Sequence, residues 1–281
     1  MLRIGFIGTG RLAHALAPAI AAAGYQVVPL LLQHPGPLLP QRERLGEGSS
    51  QSIADLADLV FLAVPDGAIS EVADSIHWRE GQFAVHCSGA GGLDLLSQAA
   101  AQGAQTGSFH PLQTFATGQP ANLDGVTVAI EADEPLAGTL EGLARDLGCY
   151  ALRLPAGAKP LYHASAAMAG NYVVSLVAQA ARLWQAFGFS QEQALAALLP
   201  LVRTTVDNLG RLGPAAALTG PVARGDTSTV CGHLDALSAQ APEVVDLYRQ
   251  LALAALTLAD LDPDRAGQLR TILQGDMTPC A

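Results

Sequence analysis

The chain has 281 residues, of which half are hydrophobic, 14% are charged and 5% are aromatic, and its formal net charge is -10. Its length allows two domains with a substantial core. The acidic balance, without a basic stripe, argues against general nucleic-acid binding but is compatible with a local anion site.

Short hydrophobic runs alternate with helical patterns in the first half of the chain. Residues 2–8 (LRIGFIG) predict a strand, and residues 11–24 predict a helix that Gly24 ends. Further strands are predicted within residues 26–32, 56–64, 83–89, 106–112, 125–132 and 149–155, with a helix from about Pro135 between the last two. Strands that alternate with helices indicate a parallel sheet covered on both faces.

Helical patterns alone continue after Leu154. Residues 162–188 predict one long helix, and a capping box over Ser190–Gln193 opens the next, which runs to about Leu209. Later helices are predicted over residues 229–239 and 242–261, and from an Asp262 N-cap and Pro263 to Gly275. The sequence therefore predicts an α/β domain over residues 1–154 and an all-α domain over residues 155–281.

The clearest motif follows the first predicted strand. Residues 8–13 (GTGRLA) match the pattern G-x-G-x-x-A between a strand and a helix. In this pattern the first glycine makes the turn, the second lets the backbone approach a pyrophosphate, and the alanine permits close packing. The motif predicts a Rossmann-like, doubly wound sheet. The expected cofactor contacts are Gly8, Thr9, Gly10, Arg11, Leu12 and Ala13.

The end of the second predicted strand bears on the choice of cofactor. An acidic residue there would bind the ribose 2′-hydroxyl of NAD. None occurs before Glu43, whereas Arg42 and Arg44 lie in the following loop. We therefore expect NADP, with one arginine at the 2′-phosphate. NAD is not excluded, and the two arginines are equally compatible with solvated loop charges.

Ligands of such sheets bind beyond the carboxyl ends of the strands. The residues predicted to lie there are Val64, Pro65, Ser88 and Gly89, all expected at the cofactor, and His110. For His110, substrate binding and a structural role are equally compatible with the sequence. Asp66 is interpreted as a turn residue.

Lys159, His163 and Asn171 are the candidate catalytic residues of the second domain. Pro160 places Lys159 just outside the predicted helix. In one continuous helix His163 and Asn171 would lie about 80° apart around the axis. Lys159 or His163 could supply a proton and Asn171 could hold a substrate carbonyl, although a hydrogen-bonded core histidine is the commoner arrangement.

Residues 218–230 (LTGPVARGDTSTV) place a cation beside a predicted helix start. Asp226 or Thr227 can cap that helix. Capping does not account for Arg224. We expect these three residues to form a binding site for the acid group of a substrate.

Six motifs occur in this order over nearly the whole chain: GFIGTGRLA, FLAVPD, HCSGA, SFHPLQTFA, YHASAAMAGNYV and LTGPVARGDTSTV…HL. Together they resemble a bacterial family that joins a Rossmann-like domain to a helical domain of unknown function. That family is similar in layout to ketopantoate reductases, pyrroline-carboxylate reductases, phosphogluconate-type hydroxyacid dehydrogenases and deazaflavin-dependent NADP oxidoreductases.

The resemblance implies a nicotinamide cofactor in the first domain, a substrate between the domains and a homodimer formed by the helical domains. We expect hydride transfer to a small oxo acid, as in ketopantoate reductase, or to an imine. A sensor without turnover and a deazaflavin-dependent oxidoreductase are the alternatives. The hydroxyacid dehydrogenases carry Asn four residues after a Lys, whereas His163 stands four residues after Lys159 here.

The remaining features argue for a cytoplasmic protein without metal. Neither a zinc site nor a CxxC pair is predicted, because no two of the four cysteines are close: Cys87, Cys149, Cys231 and Cys280. No stretch approaches the roughly 20 apolar residues of a membrane span. Arg11 and His14 interrupt the one run that resembles a signal peptide.

Overall fold

The computed structural model describes residues 1–28, 50–115 and 122–275. It contains two compact units, Met1–Gly170 and Asn171–Ala281. The predicted boundary between the α/β domain and the all-α domain, at residues 154 and 155, stays a prediction. Within the described ranges, no helix combines the length and the apolar character needed to cross a membrane.

A seven-stranded sheet forms the centre of the first unit, in the order β2-β1-β3-β4-β5-β6-β7. The strands are β1 (Arg3–Ile7), β2 (Gln26–Val27), β3 (Leu59–Leu62), β4 (Phe83–His86), β5 (Gln105–Pro111), β6 (Thr127–Ala132) and β7 (Tyr150–Arg153). Every neighbouring pair is parallel except β5 and β6, which are antiparallel. A parallel neighbour needs a long crossover, usually a helix, and no helix occurs in the described residues between these two strands.

In the described residues six α-helices accompany the sheet: α1 (Arg11–Ala22), α2 (Ser50–Leu56), α3 (Ile69–Asp74), α4 (Ser97–Ala101), α5 (Leu136–Asp146) and α6 (Lys159–Ala169). Alternate residues of the central strands belong to two separate hydrophobic clusters. Phe61 and Val85 pack in one cluster with Leu16 of α1, and Leu62 packs in the other with Ile69 of α3. The predicted α/β fold with both faces covered is therefore confirmed.

The second unit is helical. It contains α7 (Asn171–Leu183), α8 (Gln191–Leu212), α9 (Pro214–Ala217), α10 (Pro221–Arg224), α11 (Thr227–Gln240), α12 (Val245–Leu256) and α13 (Pro263–Gln274). Its core includes Val230, Leu256 and Leu269. The predicted helix caps are confirmed: the Ser190 capping box opens α8, and Asp226 and Asp262 cap α11 and α13.

The prediction of one continuous helix over residues 162–188 is wrong. Gly170 has φ -110° and ψ -77°, and the chain divides there into α6 and α7. Glycine has low helix propensity because it loses the most backbone freedom in a helix. His163 and Asn171 consequently lie on different helices and in different units. Lys159 is the first residue of α6, rather than a residue just before it.

Candidate functional site

The glycine-rich loop between β1 and α1 has the geometry that the motif predicts. Gly8 has φ +107°, and a Cβ atom there would lie 2.4 Å from the carbonyl oxygen of Ala63. Gly10 is extended and precedes the first turn of α1. Among the residues that the structure describes, a Cβ atom on Gly10 would meet only the Ala63 oxygen, at 3.8 Å. The first glycine is therefore required by the fold, whereas the second leaves open space beside the backbone.

The start of α1 suits an anionic ligand. The helix has no side-chain cap and no acidic residue in its first turn, so no carboxylate of its own first turn competes for its amide N–H groups. Arg11 is exposed at this end, and Leu12 and Ala13 pack against the hydrophobic core. Thr9 is half-buried between the two glycines. These residues fit the phosphates of a dinucleotide.

A row of polar side chains crosses one face of the sheet. His86 of β4 pairs with Ser108 of β5, which in turn pairs with Glu131 of β6. Paired residues point to the same face, and so does His110, two residues beyond Ser108. His86 and Ser108 are fully buried. The sheet thus places two imidazoles, a hydroxyl and a carboxyl on one face, close to the ends of β4 and β5.

Ser88 organises the turn that follows β4. Its hydroxyl donates to Oδ2 of Asp66 at 2.7 Å and accepts from the backbone N–H groups of Ala90 and Gly91. Asp66 was predicted to be only a turn residue, but its carboxylate joins the turn after β3 to the turn after β4. Val64 is half-buried and Pro65 exposed at the same strand end.

Lys159 fixes the same turn from the other side. Its side chain is buried, with 1% exposure, and Nζ donates to the backbone carbonyl of Ser88 at 2.6 Å. Burial lowers the pKa of this amine to about 8, although the negative charges of Glu131 and Asp66 act in the opposite direction. Burial also raises the pKa of the Glu131 carboxyl. The first turn of α6 is thereby joined to the end of β4.

His86 is held as a neutral ring. Its Nδ1 accepts from the Ser88 backbone N–H at 3.2 Å, and Nε2 lies 3.1 Å from the carbonyl oxygen of Gly92. The ring therefore carries its proton on Nε2. Burial, assisted by the charge of Lys159, lowers its pKa to about 4.

His110, Tyr162 and His163 form an aromatic group beside this turn. His110 Nδ1 lies 2.9 Å from the Tyr162 hydroxyl. The ring centroids of His110 and His163 are 5.9 Å apart, at 77°. Burial lowers the pKa of His110 to about 4 and raises that of Tyr162 to about 12. Nδ1 of His163 is buried and has no hydrogen-bond partner among the described residues.

Both imidazoles converge on Gly89. A Cβ atom there would lie 2.3 Å from Nδ1 of His163 and 2.8 Å from Nε2 of His110. No side chain can occupy this position unless the rings move. The glycine thus permits α6 to approach the turn after β4, and it sets the spacing of the two rings.

The structure brings some of the predicted site residues together in the first unit. These are Ser88, Gly89, His110, Lys159 and His163. The sequence does not single out Tyr162, His86 or Glu131, and it indicates only a turn role for Asp66. The alternation of side chains along β4, β5 and β6 could have pointed to His86 and Glu131.

The remaining predicted residues lie elsewhere. Asn171 begins α7 and is exposed. Arg224 ends α10, is exposed, and makes no ion pair within the residues that the structure describes. Asp226 uses its carboxylate to cap α11 by accepting from Thr229, and Thr227 is the first residue of that helix. Their roles at a substrate stay predictions. Arg42 and Arg44 lie outside the described residues.

The described residues contain no group of three or more His, Cys, Asp or Glu side chains that could hold a metal ion. Cys87 and Cys149 are free and buried. Burial raises the pKa of each of these two thiols, which disfavours their reactive thiolate form.

Two family models match the chain. Residues 1–111 match a Rossmann-like domain, and residues 126–255 match the domain of unknown function DUF2520. The chain combines a Rossmann-like domain with a DUF2520 domain. The DUF2520 match includes β6 and β7 of the sheet as well as most of the helical unit. The predicted resemblance is thus confirmed, while no curated protein matches the sequence.

Solved structures share this fold. A Bacteroides fragilis protein provisionally assigned as an NADP oxidoreductase is 24% identical, with a TM-score of 0.69, and the match covers 91% of this chain and 98% of that one. Pyrroline carboxylate reductase of Plasmodium falciparum, solved with NADP bound, is 13% identical with a TM-score of 0.59 over 96% and 98%. Imine reductase of Aspergillus terreus, in complex with NADPH4, is 13% identical with a TM-score of 0.54 over 98% and 93%.

Proposed function

We propose that the protein is an NADP-dependent reductase that transfers hydride to the carbonyl of a small oxo acid, or to the related imine. The observation that carries this proposal is the group around Gly89. A buried lysine amine, two imidazoles and a phenol surround one turn at the carboxyl ends of the parallel strands of a Rossmann-like sheet. Structures with the same fold include reductases that bind NADP or NADPH4.

The cofactor site that we propose begins at the glycine-rich loop. Gly10 and the first-turn amides of α1 would bind the pyrophosphate, and the turns after β3 and β4 would flank the rest of the cofactor. Arg42 and Arg44 would discriminate NADP from NAD through the 2′-phosphate. When bound, NADPH supplies the hydride for the reduction.

Reduction of C=O also needs a proton for the oxygen, which becomes negatively charged as hydride arrives. We assign this proton to His163, whose ring is half-buried and lies beside Gly89. Lys159 is too deeply buried to meet a substrate, and its hydrogen bond to Ser88 gives it a different task. It would hold the turn in place and favour an anionic substrate through its charge. Arg224 remains the proposed ligand for the substrate carboxylate.

The test is NADPH oxidation, followed at 340 nm, with purified protein and a panel of 2-oxo acids and cyclic imines. We expect turnover of at least one member and a strong loss of turnover in His163→Ala. Cofactor binding without turnover of any member would contradict the proposal and favour a sensor. Unchanged turnover in His163→Ala would remove that residue from the reaction.

We also propose that a second copy of the chain covers the apolar surface of α7 and α8. Val174 is 71% exposed and Leu201 is 63% exposed, and other apolar side chains of these two helices are exposed as well. Clusters of this kind mark protein interfaces in soluble proteins. The proposal agrees with the homodimer that the sequence resemblance implies.

Light scattering coupled to gel filtration should therefore give about twice the monomer mass for the wild type. Val174→Glu combined with Leu201→Glu should give the monomer, because two charges would be buried without partners. Leu152→Glu, which places a charge on the exposed strand β7, is the matched control and should stay dimeric. A monomeric wild type would contradict this assignment.

A further inference from the structure

Tyr162 contacts His110 through a hydrogen bond that links α6 to β5. The Tyr162 hydroxyl lies 2.9 Å from Nδ1 of His110, and the two rings are perpendicular, with their centroids 5.6 Å apart. Within the ranges that the structure describes, the hydroxyl makes no other hydrogen bond. The geometry leaves open which of the two atoms donates.

The chemistry of the two groups bears on the direction of this hydrogen bond. Burial raises the pKa of Tyr162 to about 12, so its hydroxyl keeps its proton at neutral pH. Burial lowers the pKa of His110 to about 4, so its ring is neutral and has one accepting nitrogen. The phenolic proton has no acceptor except Nδ1 among the described residues. These properties favour donation by the hydroxyl, which leaves the ring proton on Nε2.

Nε2 of His110 is directed at the turn after β4. A Cβ atom on Gly89 would lie 2.8 Å from Nε2, too close for a normal contact, so the ring can take this position only because residue 89 is glycine. His163 approaches the same position from α6. A ring proton on Nε2 would thus lie beside the proposed proton donor, at the strand ends where we place the reacting atoms.

We propose that Tyr162 is a positioning residue that holds His110 in the Nε2–H form, so that His110 donates a hydrogen bond to the oxygen or nitrogen of the bond being reduced. The part of this proposal that concerns the substrate rests on the proposed reductase function. The part that concerns the tautomer does not. His110 orients and polarises the substrate in this scheme, while His163 supplies the proton that the product keeps.

The decisive experiment is long-range 1H–15N correlation spectroscopy of protein labelled at histidine, recorded at pH 7. His110→Gln identifies the His110 resonances by their loss. We expect Nδ1 of His110 to have the shift of an unprotonated nitrogen and Nε2 that of a protonated one. In Tyr162→Phe both shifts should move towards an average of the two tautomers. Tyr150→Phe removes the hydroxyl of an exposed tyrosine on β7 and should change neither.

A wild-type spectrum with the proton on Nδ1 would overturn the proposal, and so would a Tyr162→Phe spectrum identical to that of the wild type. These outcomes do not depend on any enzymatic activity. If the protein turns over a member of the panel, Tyr162→Phe should lower kcat at least about tenfold with an unchanged KM for NADPH, because a wrong tautomer cannot donate to the substrate. An unchanged kcat together with an altered tautomer would overturn the substrate contact alone.

Discussion

Gly89→Ala should reduce turnover about a hundredfold while the protein still folds. The backbone at Gly89 does not require a positive φ, so alanine is allowed there. Its methyl group, however, would lie 2.3 Å from Nδ1 of His163 and 2.8 Å from Nε2 of His110, and the rings would have to move. Displacement of catalytic groups by about 1 Å can cost about two orders of magnitude in rate. Steady-state kinetics with the best substrate of the panel measures the effect.

A double-mutant cycle on stability separates this local clash from a general disturbance of the turn. Overpacking of this kind costs about 1–3 kcal/mol. Gly89→Ala should therefore cost clearly less free energy of unfolding in the His163→Ala background, where the nearest obstacle has been removed. Equal costs in both backgrounds, measured by chemical denaturation, would show that the two residues are not in contact.

Acidification should destabilise the folded protein between about pH 6.5 and pH 4. His86 and His110 have folded-state pKa values of about 4, whereas an unfolded histidine titrates near 6.5. As the pH falls through this window the unfolded chain takes up protons first, so the free energy of unfolding decreases. For fully buried His86 alone, the loss over the window is on the order of 3 kcal/mol.

Chemical denaturation at a series of pH values measures this loss. His86 has a further reason to stay neutral, since a proton on Nδ1 would face the N–H group of Ser88. His86→Gln should flatten the pH dependence in this window, whereas His77→Gln, at an exposed position, is the matched control. A free energy of unfolding that stays constant from pH 6.5 to pH 4 would contradict the neutral, buried state of both rings.

Local features of the fold were predictable because their causes are local in sequence. The glycine-rich loop needs only Gly8 and Gly10 between a strand and a helix. The caps of α8 and α13 each depend on residues within one helical turn, which is why Ser190 and Asp262 were found from the sequence. Gly170 marks the limit of this approach, because glycine occurs both inside helices and at their breaks.

The contacts within the candidate site were not predictable, because they join residues that are far apart in the chain. Lys159 binds the Ser88 carbonyl across 71 residues, and Tyr162 binds His110 across 52. Neither spacing corresponds to a helical or strand period. Tyr162 also occupies a helical position where a tyrosine would ordinarily be read as packing. Only the approach of α6 to the ends of β4 and β5 reveals its partner.

The most direct test of the cofactor assignment is calorimetric titration of NADPH into the wild type and Gly10→Ala. A methyl group on Gly10 would meet only one atom of the described part of the chain, at an ordinary contact distance, so the variant should fold normally. It would nevertheless occupy the space where a pyrophosphate approaches the backbone. Gly142→Ala, in the middle of α5, is the matched control. We predict that Gly10→Ala weakens NADPH binding at least about tenfold with an unchanged Tm; equal affinity in the wild type and in Gly10→Ala would contradict the account.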